Sequence, residues 1–446
     1  MTDLRRIAAV LAALMLALGA AACGGDDDDD SGGDSNQTST TEDTAKDVKG
    51  TVRTAAIWSG PEQEAFRAVL DGFEKQYPGV TAKYNSGGDQ LPTILSTAVE
   101  GGNPPDVAIV GQPGLVKQFQ AKGALKPIEF IKDTVEQDFG EDWVKVGTVD
   151  GQLYGLLFKA ANKSTVWFNT QSFEDAGIEP PEDWQGFLDN AKTLTQAGTP
   201  AYSLGAADGW TLTDLFENIY LRTAGPEKYD QLAEHEIPWT DESVTTALEE
   251  MKKVTGDKQN IAGGIKGALQ TEFPNSVSQA FSDPPKAAQV IEGDFVAGVI
   301  TAETKAKPEQ DFDVYPFPTV EGGPENAVVG GGDTAIMFSD SPAAKALMEY
   351  LATKEAAEIW AAKGGFASGN KNVDDGVYPD EITRKTAGAL GEAETFRFDM
   401  SDLAPAEFGA TPGKGEWKIL QDFLSNGDVD KTAQALERAA KKAYKQ

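Results

Sequence analysis

Residues 51–110 read TVRTAAIWSGPEQEAFRAVLDGFEKQYPGVTAKYNSGGDQLPTILSTAVEGGNPPDVAIV, and this stretch decides the fold class. Val52–Ile57 has the short apolar character of a strand. Pro61 then opens a helix whose Phe66, Val69, Leu70, Phe73 and Tyr77 recur at three- and four-residue spacing on one face. Val80–Tyr84 reads as the next strand. Leu91, Ile94, Leu95 and Ala98 mark a second helix that stops at Gly101-Gly102. Val107–Val110 is apolar throughout, as expected of a strand covered on both faces, and a third helix runs from Pro113 to Gly123. Strands alternating with crossover helices pair in parallel, so the expectation is an α/β sheet flanked by helices. In such sheets a ligand sits beyond the carboxyl ends of the strands. Here those ends are the loops Trp58–Glu62, Asn85–Gln90 and Gly111–Gly114.

The rhythm breaks at Asp150-Gly151, a hairpin signal between the apolar runs Trp143–Val149 and Leu153–Phe158. Lys159–Phe168 reads as a crossover into a second, helix-rich lobe. There Trp184, Phe187, Leu188, Ala191 and Leu194 share one helical face, and helices are expected near Thr211–Arg222 and Asp241–Val254. Strands are expected near Phe295–Ile300, Phe312–Tyr315 and Thr334–Phe338, and the run Gly330-Gly331-Gly332 reads as a turn or hinge. Pro342–Lys363 holds two helices, and two more close the chain near Glu416–Leu424 and Lys431–Tyr444.

Upstream, Arg5 and Arg6 precede an apolar run, Ile7–Ala22, that ends in small residues before Cys23. This is the pattern of a secretory signal, and the run is short for a membrane span. Leu18–Cys23 resembles a bacterial lipobox, with Ala20 where the usual leucine stands, so Cys23 is the expected lipidation site. From there to Gly50 the chain is Gly-, Ser-, Thr- and Asp-rich, with five consecutive aspartates at Asp26–Asp30. Such a segment cannot repay its ordering entropy and reads as a solvated tether. Cys23 is the only cysteine in 446 residues, so neither a disulfide nor a thiolate metal site is available. The formal net charge is −32, which argues against nucleic acid as a partner, because phosphate binding needs clustered Lys and Arg. The remaining length exceeds one core and implies two domains.

Catalytic patterns are missing from the sequence. His235 is the single histidine, lies between Glu234 and Glu236, and reads as a surface residue; no His-dependent triad or multi-histidine metal site is available. No Gly-x-Ser-x-Gly elbow or Walker loop occurs. With 71 acidic residues, carboxylate pairs arise by chance, so a glycoside hydrolase stays open as a rival reading. A receptor for a non-sugar solute and a surface scaffold stay open as well. Aromatic residues beside carboxylates and amides in loops are the mixture that sugar recognition needs: a ring packs on the C–H face of a pyranose, and polar groups take the hydroxyls.

The segments IWSGPE (Ile57–Glu62), GGNPPDVAIVGQPGLV (Gly101–Val116), DGQLYGL (Asp150–Leu156), VWFN (Val166–Asn169) and PEDWQGFL (Pro181–Leu188) follow one another in a familiar order. So do the Pro-Phe-Pro around Phe317, the glycine run before Asp333, GGFASGNKNV (Gly364–Val373) and RFDMSDLAPAEFG (Arg397–Gly409) with Trp417. Together they resemble the family 1 extracellular solute-binding proteins, the group that includes maltose-binding protein, and are most similar to actinobacterial α-glucoside or general sugar-binding lipoproteins. The resemblance implies a type II periplasmic-binding-protein fold of two α/β lobes whose hinge the chain crosses three times. Placed on this sequence, it gives a signal over 1–22, a lipidated tether over 23–50, one lobe from 51–160 with 333–380, and the other from 161–332 with the C-terminal helices 381–446. It further implies a monomeric, non-enzymatic receptor without cofactor or metal that captures carbohydrate between the lobes and delivers it to an ABC permease. Carried over residue by residue, Glu62, Gln112 and Asn162 are expected to hydrogen-bond the sugar, and Trp210, beside Asp208 and Asp214, to stack on it. Asp294 and Phe295 match a cleft-wall turn, and Phe366, Asp402 and Trp417 are further candidates. Trp167, Trp184 and Tyr154 read as structural.

Overall fold

The computed structural model describes residues 47–445; the expected signal, Cys23 and the first part of the tether lie outside the described residues. Among the described residues there are eleven strands: β1 (Gly50–Ala56), β2 (Val80–Ser86), β3 (Val107–Val110), β4 (Thr148–Val149), β5 (Gln152–Leu153), β6 (Gly155–Asn162), β7 (Thr165–Asn169), β8 (Gln289–Ile291), β9 (Phe312–Pro316), β10 (Ala327–Met337) and β11 (Thr395–Phe398). Six of them form a sheet in the order β11-β10-β3-β1-β2, with β6 pairing the other edge of β10. The β1–β2, β1–β3 and β10–β11 pairs are parallel, whereas β10 runs antiparallel to both β3 and β6. β7 lies antiparallel between β8 and β9 in a second, three-stranded sheet.

The opening helix, Gly60–Gln76, starts where the sequence signal placed it. Pro61 occupies its first turn with φ already helical, and Glu62 complements the positive end of the helix dipole. Its Phe66, Val69, Leu70 and Phe73 are buried against the six-stranded sheet together with helices Pro342–Leu351 and Lys354–Ala361. Alternation along β3 divides the sheet faces: Val107 and Ile109 enter that core, while Ala108 and Val110 enter a core on the opposite face with Leu91, Leu95 and Phe119. A separate, larger core packs helices Trp184–Ala197, Trp210–Ala233, Glu242–Thr255, Gly415–Asn426 and Val429–Ala443 against β7. β7 obeys the same period, with Val166 and Phe168 facing this core and Trp167 facing a third cluster with Phe273 and Val296. Trp184 packs in a three-ring cluster with Phe187 and Phe317, and Trp167 is fully buried, so both tryptophans read as structural are core.

Several local expectations are corrected. Glu141–Val146 is a short helix, and only β4 and β5 form the hairpin, turning through Asp150 (φ 51°) and Gly151 (φ 77°). Both angles are positive, as the Asp-Gly hairpin turn demands. Phe295–Ile300 is not a strand: Val296–Glu303 is a helix, buried at Val296, Ala297, Val299 and Ile300, and a short apolar run does not distinguish the two by periodicity. Gly330-Gly331-Gly332 is neither a turn nor a loop but lies inside β10. Glycine is needed there for space. A Cβ on Gly330 would stand 2.2 Å from the Phe396 ring, one on Gly331 2.6 Å from the Lys163 side chain, and one on Gly332 2.6 Å from the Lys159 carbonyl oxygen. His235 is half-buried, not a free surface residue, with Nε2 3.1 Å from Glu437 Oε2.

Candidate functional site

The carboxyl ends of β1, β2 and β3 open onto one cleft of about 370 Å³, and each of the three loops expected there contributes to it. Trp58 and Glu62 come from the first, Gly88 and Asp89 from the second, and Gly111 and Gln112 from the third. Lys159 on β6 and Asp333 on β10 form the floor. The opposing wall is supplied by Asp208, Trp210, Glu272, Phe273, Phe295 and Asp402. That volume is in the range of small-molecule sites.

The aromatic part of this wall is a triangle. Trp210 lies 5.2 Å from Phe273 and 5.9 Å from Phe295, and Phe273 lies edge-on to Phe295 at 5.3 Å between centroids. Trp210 is only partly buried, so its ring is shared between this packing and the cleft. Gly209 (φ 89°) turns the chain into the helix that carries it.

Opposite stand charges in fixed pairs. Lys159 Nζ is 2.5 Å from Glu62 Oε1 and 3.8 Å from Asp333 Oδ2, and it lies over the Phe295 and Trp360 rings at 5.3 and 5.4 Å. Trp58 Nε1 donates to Asp333 Oδ2 at 2.8 Å. Burial disfavours the ammonium of Lys159, but the Glu62 and Asp333 carboxylates beside it raise its pKa above the ordinary value. Burial pushes Asp333 up to about 6 even with that lysine adjacent.

Lys163, in the link between β6 and β7, anchors a second network. Its Nζ reaches Asp399 at 2.7 Å, Asp402 at 3.0 Å and Asp214 at 3.2 Å, which uses all three ammonium protons. Burial opposes the charge on Lys163, yet the three carboxylates hold its pKa well above normal. Burial would likewise raise Asp399, but Lys163 and its hydrogen bonds keep it at about 2, whereas burial leaves Asp214 at about 8.

Of the residues singled out in the sequence, Glu62, Gln112, Asp208, Trp210, Phe295 and Asp402 line the cleft. The other five do not. Asn162 is buried with its amide spent on Thr386 and its side-chain oxygen accepting from the Ser164 amide. Asp294 accepts from the Asn162 backbone, and Asp214 is engaged by Lys163. Phe366 is a core ring packed on Trp360 and Phe158. Trp417 is buried beneath Gly209, where a Cβ would meet it at 2.7 Å. Sequence reading missed Lys159, Lys163, Glu272, Phe273 and Asp333. A signal for the first was present: a lysine inside Leu156-Leu157-Phe158-Lys159-Ala160-Ala161 is a charge in a buried strand and requires a partner. Among the described residues no cluster of His, Cys, Asp and Glu is arranged to hold a metal, and no helix is long and apolar enough to cross a membrane.

The family model for bacterial extracellular solute-binding protein matches residues 58–358. The osmoprotective compounds-binding protein of Synechocystis sp. is 34% identical over 394 residues, covering 87% of this chain and 92% of that one. The α-glucosides-binding periplasmic protein of Rhizobium meliloti is 33% identical over 413 residues, covering 88% of each. Among solved structures, the bacterial solute receptor AcbH superposes with a TM-score of 0.78 at 20% identity, over 89% of this chain and 100% of that one. A sheet whose strand ends open on a two-sided cleft, a matching family model and relatives of this coverage agree: this chain belongs to the bacterial extracellular solute-binding proteins, the receptors of ABC transporters, and has their two-lobed fold.

Proposed function

We propose that the chain captures a carbohydrate of the α-glucoside class in this cleft and presents it to the membrane permease of an ABC importer. The observation that carries this reading is the wall of Trp210, Phe273 and Phe295 across the cleft from polar residues on the strand-end loops, including Glu62, Asp89 and Gln112. A ring packs on the apolar face of a pyranose, and carboxylates and amides take its hydroxyls. The name of the Rhizobium relative, at 33% identity, supports the α-glucoside class. The receptor returns its ligand unchanged and works as a monomer. Its lobes comprise residues 51–160 with 333–380, and 161–332 with 381–446. They close about a hinge crossed three times, Lys163 sitting at one crossing, and closure marks the loaded state. Lipidation at Cys23 holds the chain at the outer face of the membrane through the acidic tether.

Thermal-shift and calorimetric titration with maltose, trehalose, sucrose and unrelated solutes tests the ligand class, since a compound that binds only the folded state raises the melting temperature. A shift with an α-glucoside and its recovery intact after prolonged incubation are the expected results. A shift confined to non-sugar solutes overturns the class, and hydrolysis products overturn the receptor reading. Fatty-acid labelling of wild type but not of Cys23→Ser is expected for the anchor, and an unlabelled wild-type mature protein refutes it.

A further inference from the structure

The pairing of β6 with β10 is irregular at one place, and that place lies at the floor of the cleft. Asp333 pairs with Lys159, but the next residue, Thr334, pairs with Leu157, so Phe158 is left without a partner. A bulge of this kind re-aims the side chains beside it. In strict alternation Lys159 would share the face of Leu157, and Ala160 would take the other. Instead Leu157 packs with Ala160 and Ala367, while Lys159 joins Ala161 and Lys163 along the cleft. The bulge is what delivers the lysine there.

Lys159 is 3% accessible, so its ammonium must find its partners within the fold. Among the described residues it makes one hydrogen bond, donating to Glu62 Oε1 at 2.5 Å. Asp333 Oδ2 stands 3.8 Å away, and the Phe295 and Trp360 rings cover the ammonium at 5.3 and 5.4 Å. Three of these four neighbours, Glu62, Asp333 and Phe295, line the cleft. Glu62 is the open member of the set, with 30% of its side chain accessible. It sits in the first turn of helix Gly60–Gln76, where a glutamate otherwise swings among several rotamers. Lys159 takes Oε1 and fixes the carboxylate, while Oε2 accepts no hydrogen bond among the described residues. An acceptor fixed before the ligand arrives loses no such freedom on binding.

We propose that Lys159 is a positioning residue for ligand capture: brought to the cleft floor by the bulge at Phe158, it holds Glu62 ready to accept a ligand hydroxyl, and its whole effect on affinity passes through Glu62. The hydroxyl as ligand group rests on the carbohydrate reading above.

The test is a double-mutant cycle read by calorimetry on the mature chain, using whichever of maltose, trehalose and sucrose binds tightest. K159M replaces the ammonium with an apolar group of similar length and is expected to weaken binding about tenfold, the scale of one side chain that must be immobilised anew. E62A removes the acceptor and is expected to weaken it at least about tenfold. The double variant K159M/E62A is expected to match E62A within about twofold, and K159R, which keeps the charge, to bind within about threefold of wild type. A purely structural lysine would lower the ligand-free melting temperature of K159M and leave the affinity of the folded protein unchanged. That result, wild-type affinity in E62A, or losses that multiply in the double variant overturns the proposal and leaves the carbohydrate reading standing. A crystal structure of the wild-type complex tests the same point without a substitution. A sugar hydroxyl on Glu62 with the Lys159 contact kept is expected; a bound sugar that does not touch Glu62, or that reaches it only after Lys159 has let go, overturns the positioning role alone. If the wild type binds none of the three sugars, the carbohydrate reading falls and the positioning role falls with it.

Discussion

Trp210→Ala separates a binding role from a packing role. Trp210 is wedged against Phe273 and Phe295 on one side and open to the cleft on the other. A tryptophan buries about 150–250 Å² when fully covered. If roughly 80 Å² of that is the cleft-facing part, its removal costs a bound sugar about 2 kcal/mol at ~25 cal/mol/Å², or about 30-fold in affinity. The ligand-free fold loses two ring contacts of about 0.5–1.5 kcal/mol each. Trp184→Ala is the control: that ring packs in a cluster with Phe187 and Phe317 and donates to Glu250 at 2.8 Å, and its truncation is expected to cost about 3–5 kcal/mol of stability. The assay pairs calorimetry, using the tightest sugar found, with thermal melting in the absence of ligand. Normal affinity in Trp210→Ala together with a melting loss equal to that of Trp184→Ala would refute the stacking argument.

Three further outcomes are expected. Lys163→Met leaves Asp214, Asp399 and Asp402 buried without their cation and should cost about 3–5 kcal/mol, read as a lowered denaturant midpoint; an unchanged midpoint contradicts the network. The ligand-free protein should melt at a higher temperature at pH 5 than at pH 8. Burial raises Asp208 and Asp333 to about 6, Asp89 and Asp294 to about 7 and Asp214 to about 8, and a carboxyl raised in the fold stabilises it at low pH and loses that contribution as pH climbs through the folded value. Asp399 and Asp241, lowered to about 2, act in the opposite sense only below pH 4, so a melting temperature rising from pH 5 to pH 8 sinks this reading. Finally, Gly332→Ala should destabilise by driving a Cβ against the Lys159 carbonyl. Gly388→Ala, in helix Glu381–Glu392 with open space around it, should stabilise by about 0.5–1 kcal/mol, and chemical melts rank the pair.

The parallel half of the main sheet was legible because its signals are local. Pro61 opens the first helix, Gly101-Gly102 follows the second, and the alternation around Val107–Val110 needs no distant partner. Loops at strand ends followed from the topology, and Glu62, Gln112, Asp208 and Trp210 are in the cleft. The misses have a common cause. Asn162, Asp214 and Asp294 are polar residues whose hydrogen-bond partners are remote in sequence, and only the fold reveals that those partners are already supplied. The glycine run was misread for the same reason, because what crowds Gly330 and Gly331 are Phe396 and Lys163, far away along the chain. Phe366 and Trp417 are aromatic residues in segments without clear periodicity, where core and cleft cannot be told apart by pattern.

Strand β10 belongs to neither half of the molecule alone. Its Ala327 and Val329 are embedded among the helices packed on β7, and its Ala335 and Met337 in the core beneath β1 and β3. A gene fragment encoding one half would carry a severed ladder, with backbone groups of β6 or β11 exposed as an open edge. Cutting the chain within β10 would open that ladder, whereas substitutions in the strand-end loops that line the cleft leave it intact.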